Sequence, residues 1–390
     1  MLFGQNGGRL GEVAVIDRGV APCEMRFLLR FGCEMVTAMA ASTMFRGRRA
    51  ATIENQDLRV TVLEGGGHIA EVFDKHAGVN PLWIPPWPSI EPSSYVAAAD
   101  TTYGASVESQ LLAGIMGHNL CLDIFGGPSA EEEAAGLRPH GEASMVSYQI
   151  DATATEIMMD AALPEARLRV TRHIALQGSA VRIREAVENL SGADRPVGWT
   201  EHVTLGPPFL ENGVTEFRAS ATRSRVFESA FGDADYLIPG AEFDWPSAPR
   251  ADGRVADLRV YNASGKSGAY TAHLMDTRQP HSFFVAFSPR MRLAFGYIWK
   301  QQDFPWMGIW EENRSRQHAP WGGQTVTRGM EFGVSPFPET RRQMIERNQM
   351  FGIPVYRWIP ARTRVEVGYW ILSQPADRIP AKLDWPAAGG

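Results

Sequence analysis

The stretch RLRVTRHIALQGSAVRIREAVEN (Arg167–Asn189) decides the fold class. In its first half the apolar residues from Leu168 to Leu176 share one parity, and charged or polar residues take the other. This period-two pattern is typical of a half-buried strand. The pattern resumes at Val181, and Gln177-Gly178-Ser179 separates the two halves as a turn. The stretch therefore predicts an antiparallel hairpin.

Runs with the same alternation recur along most of the chain. They are Leu58–Leu63, His68–Phe73, Ser144–Ala152, Glu156–Ala162, Phe217–Phe227, Tyr270–Met275, Phe283–Phe287, Arg292–Trp299 and Arg364–Leu372. Helical signals are confined to Val107–Ile115 and Glu339–Gln349. Many strands with almost no crossover helices predict a mainly β protein with antiparallel sheets, built as two stacked sheets or as a closed barrel.

Composition narrows the classes of function. The 390 residues are 44% hydrophobic and 21% charged, which is ordinary for a soluble globular chain. The net charge of −6 and the scattered arginines give no basic stripe, so we expect no nucleic-acid partner. No apolar run reaches the ~18 residues needed to cross a bilayer, so we expect no membrane association.

The three cysteines are too few for a disulfide framework and argue for a reducing compartment. We therefore expect a cytoplasmic protein. A stretch beginning at Met25 has some features of a secretion signal, but Arg30 and Glu34 interrupt its apolar centre.

Changes in pattern along the chain predict the domain organisation. Residues 1–50 form an N-terminal extension without regular periodicity, residues 51–376 form one β domain, and residues 377–390 form a C-terminal tail. The chain has no Walker loop, no Cys-x-x-Cys, no His-Glu-x-x-His and no serine nucleophile elbow. Gly65-Gly66-Gly67 lies between two strands and is interpreted as a flexible turn.

Histidines beside glycines, together with one isolated carboxylate, are the candidates for chemistry. They are His118, His140, His202 and Glu331. Glu331 lies between Met330 and Phe332 in a strand-like stretch, where a carboxylate needs a partner or a function. Three imidazoles and a carboxylate are an acceptable zinc ligand set, although no local spacing supports a metal site.

The order of these segments resembles the aldose 1-epimerase (galactose mutarotase) family over roughly Asp57 to Gln374. The segments that carry the resemblance are Gly78-Val79-Asn80-Pro81-Leu82-Trp83, Gly117-His118-Asn119, His140-Gly141, Asn189-Leu190-Ser191, Trp199-Thr200-Glu201-His202 and Gly329-Met330-Glu331. The chain also departs from the family pattern. The aromatic-Asn pair after the second histidine is replaced by Leu205-Gly206-Pro207-Pro208, the paired arginines of the first sugar loop are missing, and Phe332 follows Glu331 where the family has proline. A divergent member is therefore expected.

The resemblance implies a large antiparallel β-sandwich, called a supersandwich, and an epimerase that interconverts the anomers of a free aldose or sugar derivative. It implies Glu331 as base and His202 as acid, with His140, His118 and Asn119 contacting the sugar. Trp199 and Trp321 lie near these segments, and their flat faces suit a sugar ring. The predicted partner is a small-molecule sugar bound by a monomer or homodimer, without a cofactor. The alternative is a carbohydrate-binding protein on the same scaffold without catalysis.

Overall fold

The computed structural model describes residues 43–261 and 265–387. The predicted signal-like segment near Met25, and most of the predicted N-terminal extension, lie outside the described residues. None of the helices in the described ranges has the length and apolar character required to span a membrane.

Strands dominate the described residues. In chain order they are β1 (Thr43–Phe45), β2 (Arg48–Glu54), β3 (Leu58–Leu63), β4 (Ile69–Asp74), β5 (His118–Asp123), β6 (Gln149–Ala152), β7 (Glu156–Leu163), β8 (Leu168–Gln177), β9 (Ala180–Asn189), β10 (Arg195–Leu205), β11 (Glu216–Ala219), β12 (Ala221–Val226), β13 (Glu242–Asp244), β14 (Ser247–Pro249), β15 (Val255–Asp257), β16 (Ser267–Met275), β17 (His281–Ser288), β18 (Leu293–Lys300), β19 (Trp306–Asn313), β20 (Val326–Gly333), β21 (Gln349–Met350), β22 (Ile353–Pro354), β23 (Arg357–Ile359) and β24 (Arg364–Pro375). The α-helices are α1 (Ser109–Gly114), α2 (Ala130–Ala134) and α3 (Arg341–Arg347), and short 3-10 helices span Pro92–Ser94, Thr101–Tyr103 and Glu142–Ser144.

Two large antiparallel sheets form the sandwich. The first sheet has twelve strands in the order β1-β2-β3-β4-β5-β10-β20-β19-β16-β12-β13, with β23 also paired to β10. The second sheet has the order β11-β17-β18-β24-β9-β8-β7-β6. The predicted supersandwich is thereby confirmed, and the closed barrel is wrong.

The inner faces of the two sheets enclose the main core. Alternate residues of each strand point inward, as the strand period requires. Met330 and Phe332 of β20 lie in this core, and the Phe332 ring stacks on Trp299 of β18 at 4.2 Å between ring centroids. Complete burial of such large side chains stabilises the fold by about 1.5–3 kcal/mol each.

The hairpin Arg167–Asn189 is present as β8 and β9, paired from Leu168↔Asn189 to Gln177↔Ala180. Both predicted helices are present in shorter form as α1 and α3. The predicted single strand Phe217–Phe227 is two strands, because the chain crosses from the second sheet to the first at Ser220. Backbone hydrogen bonds join Ser220 to Phe283 and to Asp276 at this corner.

Some segments outside the predicted strand runs are strands in the structure. Residues Trp306–Asn313 form strand β19, whose every residue is buried. Gly117-His118-Asn119 leads into strand β5, which begins at His118. His140-Gly141 precedes the 3-10 helix Glu142–Ser144.

The ends of the β domain lie outside the predicted boundary residues 51 and 376. The first sheet already includes β1 and β2, and the side chain of Arg48 is completely buried. At the other end, Ile379 and Leu383 pack on the outer face of the second sheet, and Trp385 stacks on His281 at 4.4 Å. Parts of the predicted extension and tail therefore contribute buried side chains to the β domain.

Candidate active site

A cleft of about 180 Å³ opens on the outer face of the first sheet. Strands β10, β16, β19 and β20 form its floor, and α1 with the neighbouring loops forms its walls. Its lining residues are Glu108, Leu111, Leu112, Ile115, Phe125, Gly126, Gly127, His140, His202, Phe231, Tyr270, Trp310, Arg316, Trp321, Glu331 and Pro338. This volume is below the ~300–1,000 Å³ of pockets that bind drug-sized ligands, so the cleft suits a ligand smaller than those.

His202 and Glu331 lie side by side on the floor of the cleft. They are directly opposite each other on the antiparallel strands β10 and β20. His202 Nε2 and Glu331 Oε1 are 3.0 Å apart. The alignment of the two groups is not that of a hydrogen bond, so Glu331 Oε1 has no hydrogen-bond partner in the described part of the chain. His202 Nδ1 lies 3.1 Å from Thr204 Oγ1, which fixes the orientation of the ring.

Burial holds both members of this pair in the uncharged form. It raises the pKa of Glu331 to about 8, against a smaller lowering by the contact with the Tyr270 hydroxyl. Burial also lowers the pKa of His202 to about 3. Desolvation disfavours the charged form of either group. At neutral pH the carboxyl group of the pair therefore keeps its proton, and the neutral imidazole has one nitrogen free to accept a proton.

Two glycines make room for the Glu331 carboxyl group. A Cβ atom on Gly329 would lie 2.3 Å from Glu331 Oε1, and one on Gly308 would lie 2.0 Å from the Tyr270 hydroxyl. Glycine inside a strand weakens the strand and often marks a site of close approach. The carboxyl group thus lies along the sheet surface, in contact with Tyr270.

His140 reaches the cleft from the loop that follows β5. Its ring lies 5.0 Å from the His202 ring, and burial lowers its pKa well below the ordinary value. The loop is held against β5 because Leu122 N donates to His140 O. Gly141 is required there, since a Cβ atom would lie 1.8 Å from Leu122 O.

Asn119 lies behind His140 and outside the lining of the cleft. Its Nδ2 is 3.4 Å from His140 Nδ1 and donates to Ser144 Oγ at 3.0 Å. The contact of Asn119 is therefore with the histidine, and its predicted role at the sugar would be to position His140.

An aromatic wall with one cation closes the side of the cleft. Trp321, predicted to contact the sugar, lines it together with Trp310, and their ring centroids are 6.0 Å apart. The Arg316 guanidinium lies 4.7 Å from the Trp321 ring centroid. The Trp310 ring is also 5.9 Å from the His202 ring, so the wall adjoins the acid–base pair.

His118 and Trp199 lie on the opposite face of the first sheet, inside the sandwich. His118 Nε2 contacts Glu201 Oε2 at 2.8 Å, and Trp199 Nε1 donates to Glu185 Oε1 at 2.8 Å. Successive residues of a strand point to opposite faces of the sheet, so His118 and Asn119 lie on opposite faces. The predicted substrate contacts of His118 and Trp199 are therefore corrected, because the sheet lies between them and the cleft. The zinc set fails for the same reason, since His118 cannot join the other three ligands.

These two residues belong to a buried polar network. Arg172 donates to Glu185 at 2.6 Å and to Glu201 at 3.2 Å, and Tyr369 donates to Glu201 at 2.8 Å. Burial raises the pKa of Glu185 to about 8, which favours the uncharged form of this carboxyl group at neutral pH. Burial and the Arg172 charge lower the pKa of His118 well below its ordinary value.

The sequence prediction did not include Tyr270 and Arg316 among the site residues. The strand containing Tyr270 was predicted. Whether Tyr270 and Glu331 point to the same face of one sheet depends on the order of the strands, which the sequence pattern does not give. Gly329, two residues before Glu331 in a strand-like stretch, was the available signal of close packing at this point.

Comparison with known proteins gives similarity at the level of the fold. No protein-family model matches the sequence, and no curated protein matches it significantly. A Klebsiella pneumoniae protein provisionally assigned as an aldose 1-epimerase superposes with a TM-score of 0.62 at 12% identity, covering 85% of this chain and 80% of that protein. A galactose mutarotase-like protein from Clostridium acetobutylicum gives 0.57 at 12% identity, covering 86% and 98%. A galactose mutarotase related enzyme from Lactobacillus acidophilus gives 0.52 at 13% identity, covering 85% and 99%. The chain thus has a galactose mutarotase-like fold.

Proposed function

We propose that this protein is a mutarotase, which interconverts the anomers of a small aldose by acid–base ring opening. The observation that carries the proposal is the separation of 3.0 Å between His202 Nε2 and Glu331 Oε1 on the floor of the cleft. A cyclic aldose has two oxygens on its anomeric carbon, the hydroxyl oxygen and the ring oxygen. A proton donor and a proton acceptor lying side by side can contact both oxygens at once.

Ring opening uses the proton of the resting pair. His202 Nε2 takes the proton of the anomeric hydroxyl while the Glu331 carboxyl group gives its proton to the ring oxygen. The bond between the anomeric carbon and the ring oxygen breaks, and the anomeric carbon becomes an aldehyde. Imidazolium and carboxylate remain, and their attraction offsets part of the cost of charging two buried groups.

Ring closure reverses these transfers. Rotation about the bond next to the aldehyde presents its other face to the former ring hydroxyl. Glu331 then acts as the base that removes the hydroxyl proton, and His202 acts as the acid that protonates the aldehyde oxygen. The roles implied by the family resemblance therefore describe the closing step, and the pair returns to its starting protonation state.

The rest of the cleft supports a sugar ligand. His140, 5.0 Å from the His202 ring, supplies an uncharged imidazole for a ring hydroxyl. Trp310 and Trp321 offer flat apolar surfaces to the C–H groups of a pyranose. We further propose that the binding partner is a small-molecule sugar.

The test is the rate of anomer exchange for a panel of neutral and acidic aldoses, measured by polarimetry or exchange NMR. We expect the wild-type protein to exceed the buffer rate for at least one sugar. Glu331→Gln keeps the size of the side chain but cannot take a proton, so it lowers the rate about 10²–10⁴-fold with a smaller effect on binding. His202→Asn gives a comparable loss.

The matched control is His173→Asn, because His173 lies on the second sheet and outside the lining of the cleft. This variant should keep the wild-type rate. Sugar binding by calorimetry without acceleration for any aldose would refute the enzyme and support the alternative of a binding protein. If His173→Asn lost as much activity as His202→Asn, the assignment of the cleft as the active site would be wrong.

A further inference from the structure

A partly buried cation faces the cleft. Arg316 follows β19, and its guanidinium lies over three aromatic rings, 4.7 Å from the Trp321 centroid, 5.4 Å from Phe231 and 5.6 Å from Trp310. Its side chain is 16% exposed. Since a guanidinium does not lose its proton in proteins, this wall of the cleft has a permanent positive charge.

Among the residues that the structure describes, part of this charge has no partner. The adjacent carboxylate, Glu312, is 3.7 Å from Arg316 Nε, and it already accepts hydrogen bonds from Ser315 N at 2.6 Å and Ser315 Oγ at 2.8 Å. Arg316 Nη2 donates to Phe231 O at 3.2 Å. Within residues 43–261 and 265–387, no hydrogen-bond partner faces Arg316 Nη1.

Two further donors belong to the tryptophans of the same wall. The indole N–H groups of Trp310 and Trp321 are buried, and neither has a hydrogen-bond partner among the described residues. Buried polar groups are almost always paired in native proteins, so unpaired donors in a cleft call for an explanation. Guanidinium and indole groups can only donate, and an ionised carboxylate can only accept. A carboxylate ligand is therefore complementary to all three side chains.

The position of this charge relates it to the acid–base pair. The Trp310 ring is 5.9 Å from the His202 ring and 5.6 Å from the Arg316 guanidinium, so one indole separates the cation from His202. A pyranose with its anomeric carbon at His202 and Glu331 also has its ring oxygen at this pair, and C5 is bonded to that ring oxygen. In a hexuronic acid the carboxylate is attached to C5, so it lies next to the ring oxygen, and Arg316, one indole away from His202, is placed to bind it.

We propose that the substrate is a hexuronic acid, whose carboxylate is bound by Arg316 at the wall formed by Trp310 and Trp321. This inference rests on the proposed mutarotase function and adds the class of sugar. One guanidinium fork matches one planar carboxylate. A sugar phosphate carries about −1.5 to −2 charges at pH 7 and would leave excess charge against a single cation.

The experiment compares kcat/KM for anomer exchange of glucuronate and galacturonate with that of glucose, galactose and glucose 6-phosphate. We expect the uronates to exceed the neutral sugars about 10-fold or more. Arg316→Gln should reduce the ratio of uronate to neutral kcat/KM about 10–100-fold. Arg316→Lys keeps the charge without the fork and should give an intermediate ratio.

The matched control is Arg314→Gln, the same change at an exposed arginine of the same loop that does not line the cleft. It should keep the wild-type ratio, and thermal unfolding of each variant confirms that it is folded. Equal kcat/KM for uronates and neutral sugars, or a preference for glucose 6-phosphate, would overturn the inference while leaving the mutarotase proposal intact. No acceleration for any sugar in the panel would refute the mutarotase proposal itself.

Discussion

Gly308 lies directly opposite Glu331 on adjacent strands, and a Cβ atom at Gly308 would lie 2.0 Å from the Tyr270 hydroxyl and 3.4 Å from Glu331 Oε2. The Tyr270 hydroxyl donates to Pro336 O at 3.2 Å. The absence of a side chain at Gly308 therefore allows Tyr270 to reach the carboxyl group of Glu331.

Gly308→Ala should displace the Tyr270 ring, because a methyl group cannot share the space of the hydroxyl. We expect a loss of about 1–3 kcal/mol in the free energy of unfolding by urea denaturation. In a Tyr270→Phe background, the closest clash is absent, so the same substitution should cost less. The two substitutions thus have a non-zero coupling energy in a double-mutant cycle. Additive effects would contradict the packing described for Gly308.

The pH dependence of kcat/KM should report the proton of the resting pair. Because the pKa of Glu331 is raised to about 8, the rate should stay level up to about pH 7 and fall about tenfold per pH unit above 8. The pKa of His202 is lowered to about 3, so no loss of activity should occur near pH 6.5. The measurement is exchange NMR across a series of buffers, extrapolated to zero buffer concentration. An acidic limb near 6.5 would show that His202 is solvated.

Stability should depend on pH through the same carboxyl group. The folded-state pKa of Glu331 lies above its unfolded value of 4.5, so the folded protein binds more protons than the unfolded chain between these values. The corresponding stabilisation is fully present below about pH 4.5 and is lost as the pH rises through about 8. Glu331→Gln removes this dependence.

The expected result is a change in the relative stability of wild type and Glu331→Gln. Between pH 5 and pH 8, the free energy of unfolding of the variant should rise by about 1–4 kcal/mol relative to wild type. Urea denaturation at the two pH values measures it. Glu156→Gln, at an exposed carboxylate, is the control and should show a much smaller change. The same pH slope in wild type and Glu331→Gln would contradict the raised pKa.

Two histidines on opposite faces of the first sheet should respond differently to the same substitution. His118→Gln weakens the buried contact with Glu201, so it should lower the free energy of unfolding by about 1–3 kcal/mol and leave KM unchanged. His140→Gln changes the lining of the cleft and should raise KM about 5–10-fold for the best aldose. A rise in KM for His118→Gln would contradict its placement inside the sandwich.

The sequence predicted the strands better than it predicted their relative faces. Alternation within Leu168–Gln177 and Ala180–Asn189 was enough to place the β8–β9 hairpin, because the turn and both strands are local features. The pairing of His202 with Glu331 depends on long-range strand order. Alternation in β5 was obscured because both faces of the strand are buried, and the side of His118 could not be determined.

Site residues on loops and buried strands were the most difficult to predict. Arg316 enters the cleft only because Glu312 accepts hydrogen bonds from the backbone of Ser315 and Arg316, which fixes the turn after β19. Trp199 has the same residue type as Trp321 and lies in a segment that reaches the site. Its side chain points to the interior of the sandwich, because it lies an odd number of residues away from the residues of β10 that face the cleft.

Strand β10 joins two environments within a single run of residues. His202 and Thr204 belong to the cleft face, whereas Trp199, Glu201 and Val203 belong to the interior of the sandwich. A saturation library of this strand, sorted once for abundance and once for turnover, would resolve into two interleaved sets. Abundance would decline at odd-numbered residues, and turnover per folded molecule would decline at even-numbered ones. Because alternate residues of β10 face the cleft and the interior, substitutions that change substrate preference can accumulate independently of substitutions that change the stability of the fold.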